Sequence, residues 1–545
     1  MEKIKEIIER NYILKNDLKG FINYGILGTE LKKRIIELYK KEHIERDIKE
    51  IEETTIISLE EMEKIGKIQE EIRYIIEKEG EIYKVEEIIK EEYKKKGRKI
   101  KKKEIRRWSK KKIEKIMQEN KMIEKNKEIE ENNRIYGIKT SNKENKIGID
   151  FLRIELLQNM MRNYKRIKEY YNKEEFGILE VGRIYRKETK EEEYKLREMT
   201  SGKIKYFYDK KNEEIKKIEG IEINIKEGKE IKKRNTKEID EKEIIKYFIE
   251  KMYKYVRKCG IKEENIRIKK KEEKEKYEKR KWVMKIKINE KWIKIGECRD
   301  KGKYEIICNE KKEGEKYRGK RKMKEKKIIN KREIEINEEE IEKKYPEERN
   351  EIIEYYKKIN KERNSLEEKE KEIEENEGII YEYINDKVYI ITKEMIKIKK
   401  KEEKKEEEEY IPEIIESEIY IDRMLKGIIY NSYEKKEEKI IYKKEINPYE
   451  LYICDEIKEK KKEKEEIINE IERNEIKIYI DNRKCELKEK MKRVNEYGTR
   501  YILILDEDII KKQVIKIIDR EKNEKQNKEE INIRNLIKKI KEIIK

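Results

Sequence analysis

The sequence predicts an α+β chain: a strand-rich core broken by two charged segments, then a compact C-terminal α/β domain. Three observations carry this. Residues 151–209 set Arg153 and Glu155, Arg186 and Glu188, and Arg197 and Glu198 on three successive short segments. A strand, a charged loop and a returning strand would aim these forks and carboxylates into one cleft suited to a nucleotide, because guanidinium groups bind phosphate oxygens in pairs. Residues 281–297 (KWVMKIKINEKWIKIGE) alternate like a hairpin turning at Asn289-Glu290. Residues 446–545 alternate strand and helix and close on a hairpin and a last helix.

Composition at first suggests disorder, since 50% of the 545 residues are charged and only 35% hydrophobic. The charges nearly cancel to +21, and the apolar residues keep helix or strand spacing, so the chain is read as folded. It holds no alanine, three prolines and one histidine, His43. That usage points to a nucleotide bias in the gene, which makes the lysine excess a poor argument for nucleic-acid binding. Five cysteines lack any CxxC pairing, and with one histidine they offer no zinc set. Free thiols, no apolar signal core and no apolar run of membrane-spanning length place the protein in the cytoplasm, with no membrane and no DNA partner expected.

From the start, residues 1–76 give an amphipathic helix and then FINYGILGTELKKRIIELYKKEHIE, where Gly25 and Gly28 precede a helix with Ile and Leu at helical spacing. Residues 77–132 read as helical and polar nearly all round. Their run from Lys94 to Lys112 contains Glu104 as its only acid. It is either a solvated helix face or a phosphate-backbone contact. Residues 133–445 continue the core, with a long helix and a strand across 243–268. Trp282 and Trp292 are read as packing residues. A charged, helical insertion occupies 310–378, with a basic spot from Arg318, and KEEKKEEEE at 401–409 reads as an exposed connection.

These segments, in this order, resemble the glycyl-tRNA synthetases, the dimeric class II form of eukaryotes and archaea. The resemblance rests on FLRIELLQNMMRNYKR, GRIYRKE, LREMTSGKIKYFYD, YIDRML and, near the end, EYGTRYILILDED with IIDREK. It implies an antiparallel catalytic sheet with helices over 1–76 and 133–445, an inserted segment at 77–132, and an anticodon-binding-like domain over 446–545. It implies glycine, ATP with magnesium and tRNA as ligands, and a homodimer formed through residues 21–39. Arg186 and Arg423 would be the catalytic arginines, on the α- and γ-phosphates; Glu188 would meet the adenine side and Arg197 the ATP. Arg153, Glu155 and Gln158 would hold glycine, and Lys94, Arg98, Arg106, Arg107 and Lys110 would meet tRNA. No protein metal ligand is expected beyond the magnesium that travels with ATP.

Departures from the family pattern are equally specific. Lys203 and Lys205 stand where it has two glutamates, one of which receives the glycine amine; an ammonium there repels the substrate and offers no acceptor. Glu418 replaces a serine, Tyr420 a glycine, and Lys294 a carboxylate; the proline and the Ser-Gly-His turn of the first motif region appear as Ile26 and as Ile65, Gly66 and Lys67. Two readings follow. In one, Glu418 supplies the lost acceptor and the protein is a glycine–tRNA ligase, whose glycine affinity would rise on returning both lysines to glutamate. In the other, it is a catalytically impaired relative acting as a tRNA-binding or dimeric accessory protein.

Overall fold

The computed structural model describes residues 2–58, 72–78, 81–100, 105, 110–120, 122, 130–133, 136–141, 147–158, 160–187, 194–212, 216–271, 280–314, 316–360, 366, 369, 373, 378–385, 387–457, 462–522 and 528–544. The chain forms two compact units, Met1–Tyr317 with Ile411–Lys545, and Arg318–Tyr410.

The first unit is built on a nine-stranded sheet. Its strands are β1 (Ile48–Glu50), β2 (Phe176–Tyr185), β3 (Glu198–Tyr208), β4 (Glu222–Glu227), β5 (Glu230–Asn235), β6 (Ile266–Lys271), β7 (Arg280–Ile288), β8 (Lys291–Gly302) and β9 (Glu413–Tyr420). They lie in the order β5-β4-β6-β7-β8-β9-β3-β2-β1. Only the β1–β2 and β4–β6 pairs are parallel. The β7–β8 hairpin turns at Asn289 and Glu290 with φ of 47° and 65°. Both residues are thus left-handed, as the tight hairpin turn that matches strand twist requires.

One face of this sheet is covered by helices α2 (Ile26–His43), α3 (Glu243–Lys258) and α4 (Ile421–Ser432), which follow an N-terminal helix α1 (Glu2–Asn11). Leu31, Ile35, Tyr39, Phe248, Met252, Met424 and Ile428 share a core with Ile204 and Ile419 of the sheet. Tyr39 seats α2 closely: a Cβ at Gly202 of β3 would overlap its ring. His43, in the last turn of α2, is buried, lies 2.8 Å through Nδ1 from the Tyr39 carbonyl, and packs tilted against the Tyr39 ring and edge-to-face with Tyr255.

The C-terminal part carries a five-stranded mixed sheet of β10 (Leu451–Asp455), β11 (Ile478–Asp481), β12 (Tyr501–Leu505), β13 (Val514–Asp519) and β14 (Lys528–Asn532), ordered β11-β10-β12-β13-β14. The helices expected from sequence are α5 (Lys462–Arg473), α6 (Leu487–Tyr497) and α7 (Leu536–Ile544); β14 and the short helix Asp508–Lys512 were not foreseen. This domain joins α1 directly. The Tyr12 hydroxyl donates to the Glu496 carbonyl at 2.8 Å and accepts from Tyr442 at 2.6 Å. Arg520 is buried and donates to the carbonyls of Ile440 (3.2 Å) and Thr499 (2.6 Å).

Two sequence expectations need correction. Within 77–132, helices Val85–Lys95 and Lys110–Glu119 bury Val85, Ile89, Ile113 and Met117, and a sheet of Ile72–Lys78, Glu81–Lys84 and Glu130–Asn133 straddles both ends of the segment. The segment is therefore mixed and has its own apolar cluster. The second unit is bounded by a long ribbon of Gly319–Ile336 against Ile396–Tyr410, so 401–409 is a paired strand and not a connection. At the Gly319 end its register sets opposite charges against each other: Lys320 to Glu409, Arg321 to Glu408, Lys322 to Glu407. Inside it, helices Glu338–Lys344 and Arg349–Ile359 and the hairpin Ile379–Ile384 with Lys387–Thr392 share a core of Ile341, Ile352, Tyr356, Ile380 and Ile391.

Candidate active site

The other face of the main sheet is charged at its centre. In an antiparallel ladder, directly opposed residues share a face and alternate residues repeat it. One row across β2, β3, β9 and β8 is Glu180, Lys203, Glu418 and Glu297; the next is Ile178, Lys205, Glu416 and Arg299. A third brings Ser201 beside Tyr420. The alternation places the charged set away from the helices, over a strip where Ile184, Phe207 and Ile414 pack with Leu156 and Met160.

Each carboxylate here has cations around it. Lys203 Nζ lies 3.0 Å from Glu416 and 3.7 Å from Glu155. Lys205 lies 2.5 Å from Glu305 and 3.5 Å from Glu416, and donates to the Leu157 carbonyl at 3.4 Å. Glu297 gathers Lys294 at 2.5 Å, Lys281 at 3.1 Å and Arg299. Glu418 accepts from the Ser201 hydroxyl at 2.9 Å and has Arg299 at 3.5 Å. Burial alone would raise the Glu416 carboxyl, but Lys203, Lys301, Lys205 and Arg299 outweigh it and hold it well below the carboxylate range. Glu418 is likewise lowered: burial opposes, and Arg299, Lys203, Arg186 and Lys294 prevail. Both groups are therefore anions at neutral pH.

Tyr420 is nearly wholly buried, with its hydroxyl 3.3 Å from Glu297 and 3.5 Å from Glu418. Burial, then the Glu418 charge, raises its phenol above the usual range, so it stays a neutral donor. Its ring takes the Arg423 guanidinium at 4.9 Å and the Lys294 ammonium at 5.2 Å. Arg423 also donates to the Lys294 carbonyl at 3.0 Å. Arg186 donates to the Ile154 carbonyl at 3.2 Å, and its charge reaches both Glu418 and Tyr420. Of the two arginines picked out by sequence, Arg423 packs on the tyrosine ring and Arg186 acts on the same phenol through its charge.

Other sequence candidates fall differently. Arg153 is buried and committed inward: it lies 2.5 Å from Glu180 and donates to the carbonyls of Glu53 (3.1 Å) and Arg183 (2.8 Å). Glu180 also accepts from the Leu157 amide at 3.1 Å, so this pair fastens the 153–158 turn to β2. Gln158, 8% exposed, has neither amide atom hydrogen-bonded among the described residues. Such an orphan in a buried place is the kind of group a polar ligand satisfies. Arg197 is half-buried and bonds through its amide to the Gly20 carbonyl at 2.7 Å. Lys94 and Arg98 are exposed. Glu188, Arg106 and Arg107, and the side chain of Lys110, lie outside the described residues.

Sequence reading passed over Glu180, Glu297, Arg299 and Glu416. A usable signal existed for Glu180, a lone carboxylate inside FGILEVG, and for Glu297 and Arg299, which flank the core residue Cys298 with strand alternation. Among the described residues, no cluster of three His, Cys, Asp or Glu side chains is placed to hold a metal ion. No described helix is long and apolar enough to cross a membrane.

Residues 451–543, the C-terminal sheet and its helices, match the anticodon binding domain. The glycine–tRNA ligase of Methanocaldococcus jannaschii is 23% identical, covering 96% of each chain. That of Encephalitozoon cuniculi is 22% identical over 95% of this chain and 94% of its own. That of Archaeoglobus fulgidus is 24% identical over 68% of this chain and 67% of its own. Taken with the α+β architecture, the chain is a distant homologue of the glycine–tRNA ligases along nearly its whole length, with an anticodon-binding domain at its C-terminal end.

Proposed function

We propose that this protein is a glycine–tRNA ligase that uses ATP to activate glycine and passes it to tRNA. The observation that carries the reading is the Arg423 guanidinium on the Tyr420 ring with Arg186 near enough for its charge to act on the same phenol, beside a sheet face whose carboxylates are ringed by lysines and arginines. A polyphosphate fits such a face, because each fork contributes charge-assisted hydrogen bonds to phosphate oxygens. In the first step the glycine carboxylate attacks the α-phosphate of ATP, and pyrophosphate departs. Arg186 would hold the α-phosphate as charge develops there, and Arg423 would hold the γ-phosphate that leaves. Glu155 is a candidate acceptor for the substrate ammonium together with one β9 carboxylate, Glu418 or its neighbour Glu416, both anionic already. In the second step the glycyl group moves to the terminal ribose of tRNA, bound by the C-terminal domain and by basic residues such as Lys94 and Arg98.

Magnesium belongs with the nucleotide in this scheme. The carboxylates nearest the arginines are matched by lysine and arginine charges, so the ion would be held chiefly by phosphate oxygens, which it would help to neutralise. A homodimer through 21–39 is supported by Leu14, Leu18 and Ile26, exposed at 58%, 64% and 79% at or beside that segment. Sedimentation at micromolar concentration should give the dimer mass.

The deciding experiment is pyrophosphate exchange with glycine, ATP and magnesium, with and without tRNA. Glycine-dependent exchange is expected, and its absence in both cases discards ligase activity. The second reading, a tRNA-binding accessory protein with an impaired site, is favoured by one observation: Lys203 and Lys205 engage carboxylates from inside the fold. Under it the protein binds tRNA without supporting exchange.

A further inference from the structure

Lys203 is among the largest fully buried side chains of the molecule, its side chain 1% exposed. A buried ammonium persists only beside anions, and this one has two of separate origin. Glu416 comes from β9, 3.0 Å away, and Glu155 from the turn after residue 152, 3.7 Å away. Glu416 is itself buried, whereas the Glu155 side chain is 21% exposed, so the pair runs from the interior toward the surface. Two carboxylates on different elements closing on one primary ammonium is the arrangement that recognises an amino acid's α-ammonium. Here the ammonium belongs to the chain.

We infer that Lys203 is a tethered occupant of an ammonium site formed by Glu155 and Glu416, and that a free amino acid reaches those carboxylates only by displacing it. This rests on reading the charged face as the substrate site. A tethered competitor acts at high effective concentration, so it weakens a free ligand bearing the same group. Lys203 also has somewhere to go. Glu418 is directly opposite it in the β3–β9 register, where cross-strand side chains are neighbours, and is already anionic. A shift of the lysine head from Glu416 to Glu418 opens the site without leaving a buried charge alone. The face therefore has a closed state and an open one, and amino-acid affinity reports their balance.

The test removes the tether and asks for an ammonium site. Full-length Lys203→Ala is titrated with methylammonium chloride, against tetramethylammonium chloride and sodium chloride at equal ionic strength, with unfolding temperature as the readout. Methylammonium is expected to raise the unfolding temperature of the variant and not of the wild type, while tetramethylammonium, which has no N–H, does nothing. Lys203→Met keeps the volume without the charge and is titrated with glycine by calorimetry, where affinity at least tenfold above wild type is expected. If Lys203→Ala does not fold, the glycine titration of Lys203→Met decides alone. Equal glycine affinity in Lys203→Met and wild type, or a Lys203→Ala protein indifferent to methylammonium, overturns the inference. Failure of pyrophosphate exchange would sink the ligase reading and leave a positive methylammonium result standing.

Discussion

His43 is the only histidine of the chain and sits buried at the end of α2, where burial first and the nearby Lys251 charge hold it to about 4, against an ordinary 6.5. The unfolded chain therefore takes up this proton at higher pH than the folded one. Its contribution to stability is complete above pH 6.5 and is lost as pH falls toward 4, about 3 kcal/mol in all. Denaturant titrations of wild type and His43→Gln between pH 7 and 4 should converge by that amount; parallel curves would show that His43 does not titrate as described. If the proposed function holds, Arg186→Ala or Arg423→Ala would remove a charge-assisted bond to phosphate worth about 1.5–3 kcal/mol, and calorimetry should then show ATP affinity falling roughly ten- to a hundredfold. The lysines require a revised expectation. Sequence alone suggests that returning Lys203 and Lys205 to glutamate would help glycine binding. The register sets them opposite Glu418 and Glu416, so the double change faces carboxylate with carboxylate in a buried row. The double variant should lose several degrees of unfolding temperature, whereas Lys203→Met should not lose as much. The arginines were legible because motif position names them. The lysines' partners were not, because cross-strand neighbours hundreds of residues apart leave no local trace.

Elements were legible where apolar spacing or turn chemistry specified them. The β7–β8 hairpin followed from alternation around Asn289, a residue that tolerates the left-handed region. Helix α3 followed from IIKYFIEKMYKYV, whose apolar stripe fills the core against the sheet. The ribbon of the second unit was missed for the converse reason. Strand Ile396–Tyr410 is charged on consecutive residues in its second half, without apolar alternation, and its partner is read through cross-strand ion pairs such as Arg321 with Glu408 at 2.9 Å. The unit owns its core, from Ile334 and Ile341 through Ile391 and Ile396. A fragment of residues 318–410 should thus unfold cooperatively by circular dichroism. A featureless, non-cooperative melt would mean that its core depends on the rest of the chain.

At the scale of the whole molecule, the order of strands in space differs sharply from their order in the chain. Strand β9 lies between β8 and β3 in the main sheet, yet all of Arg318–Tyr410 is made before it. Nothing in the amino-acid pattern of β9 announces this; its eight buried positions read only as a strand covered on both faces. The arrangement has a kinetic meaning for a growing chain. Until β9 leaves the ribosome, β3 and β8 each present an unpaired backbone edge, and the two halves of the sheet have no common member. Open edges of that kind recruit strands from other chains. Synthesis is thus exposed to aggregation for the time needed to make the intervening unit, roughly 5–20 s at 5–20 residues per second. A chain stopped at residue 410 should accumulate as insoluble protein or bound to chaperones. Extension through residue 432, which adds β9 and α4, should restore solubility more than any equal extension elsewhere.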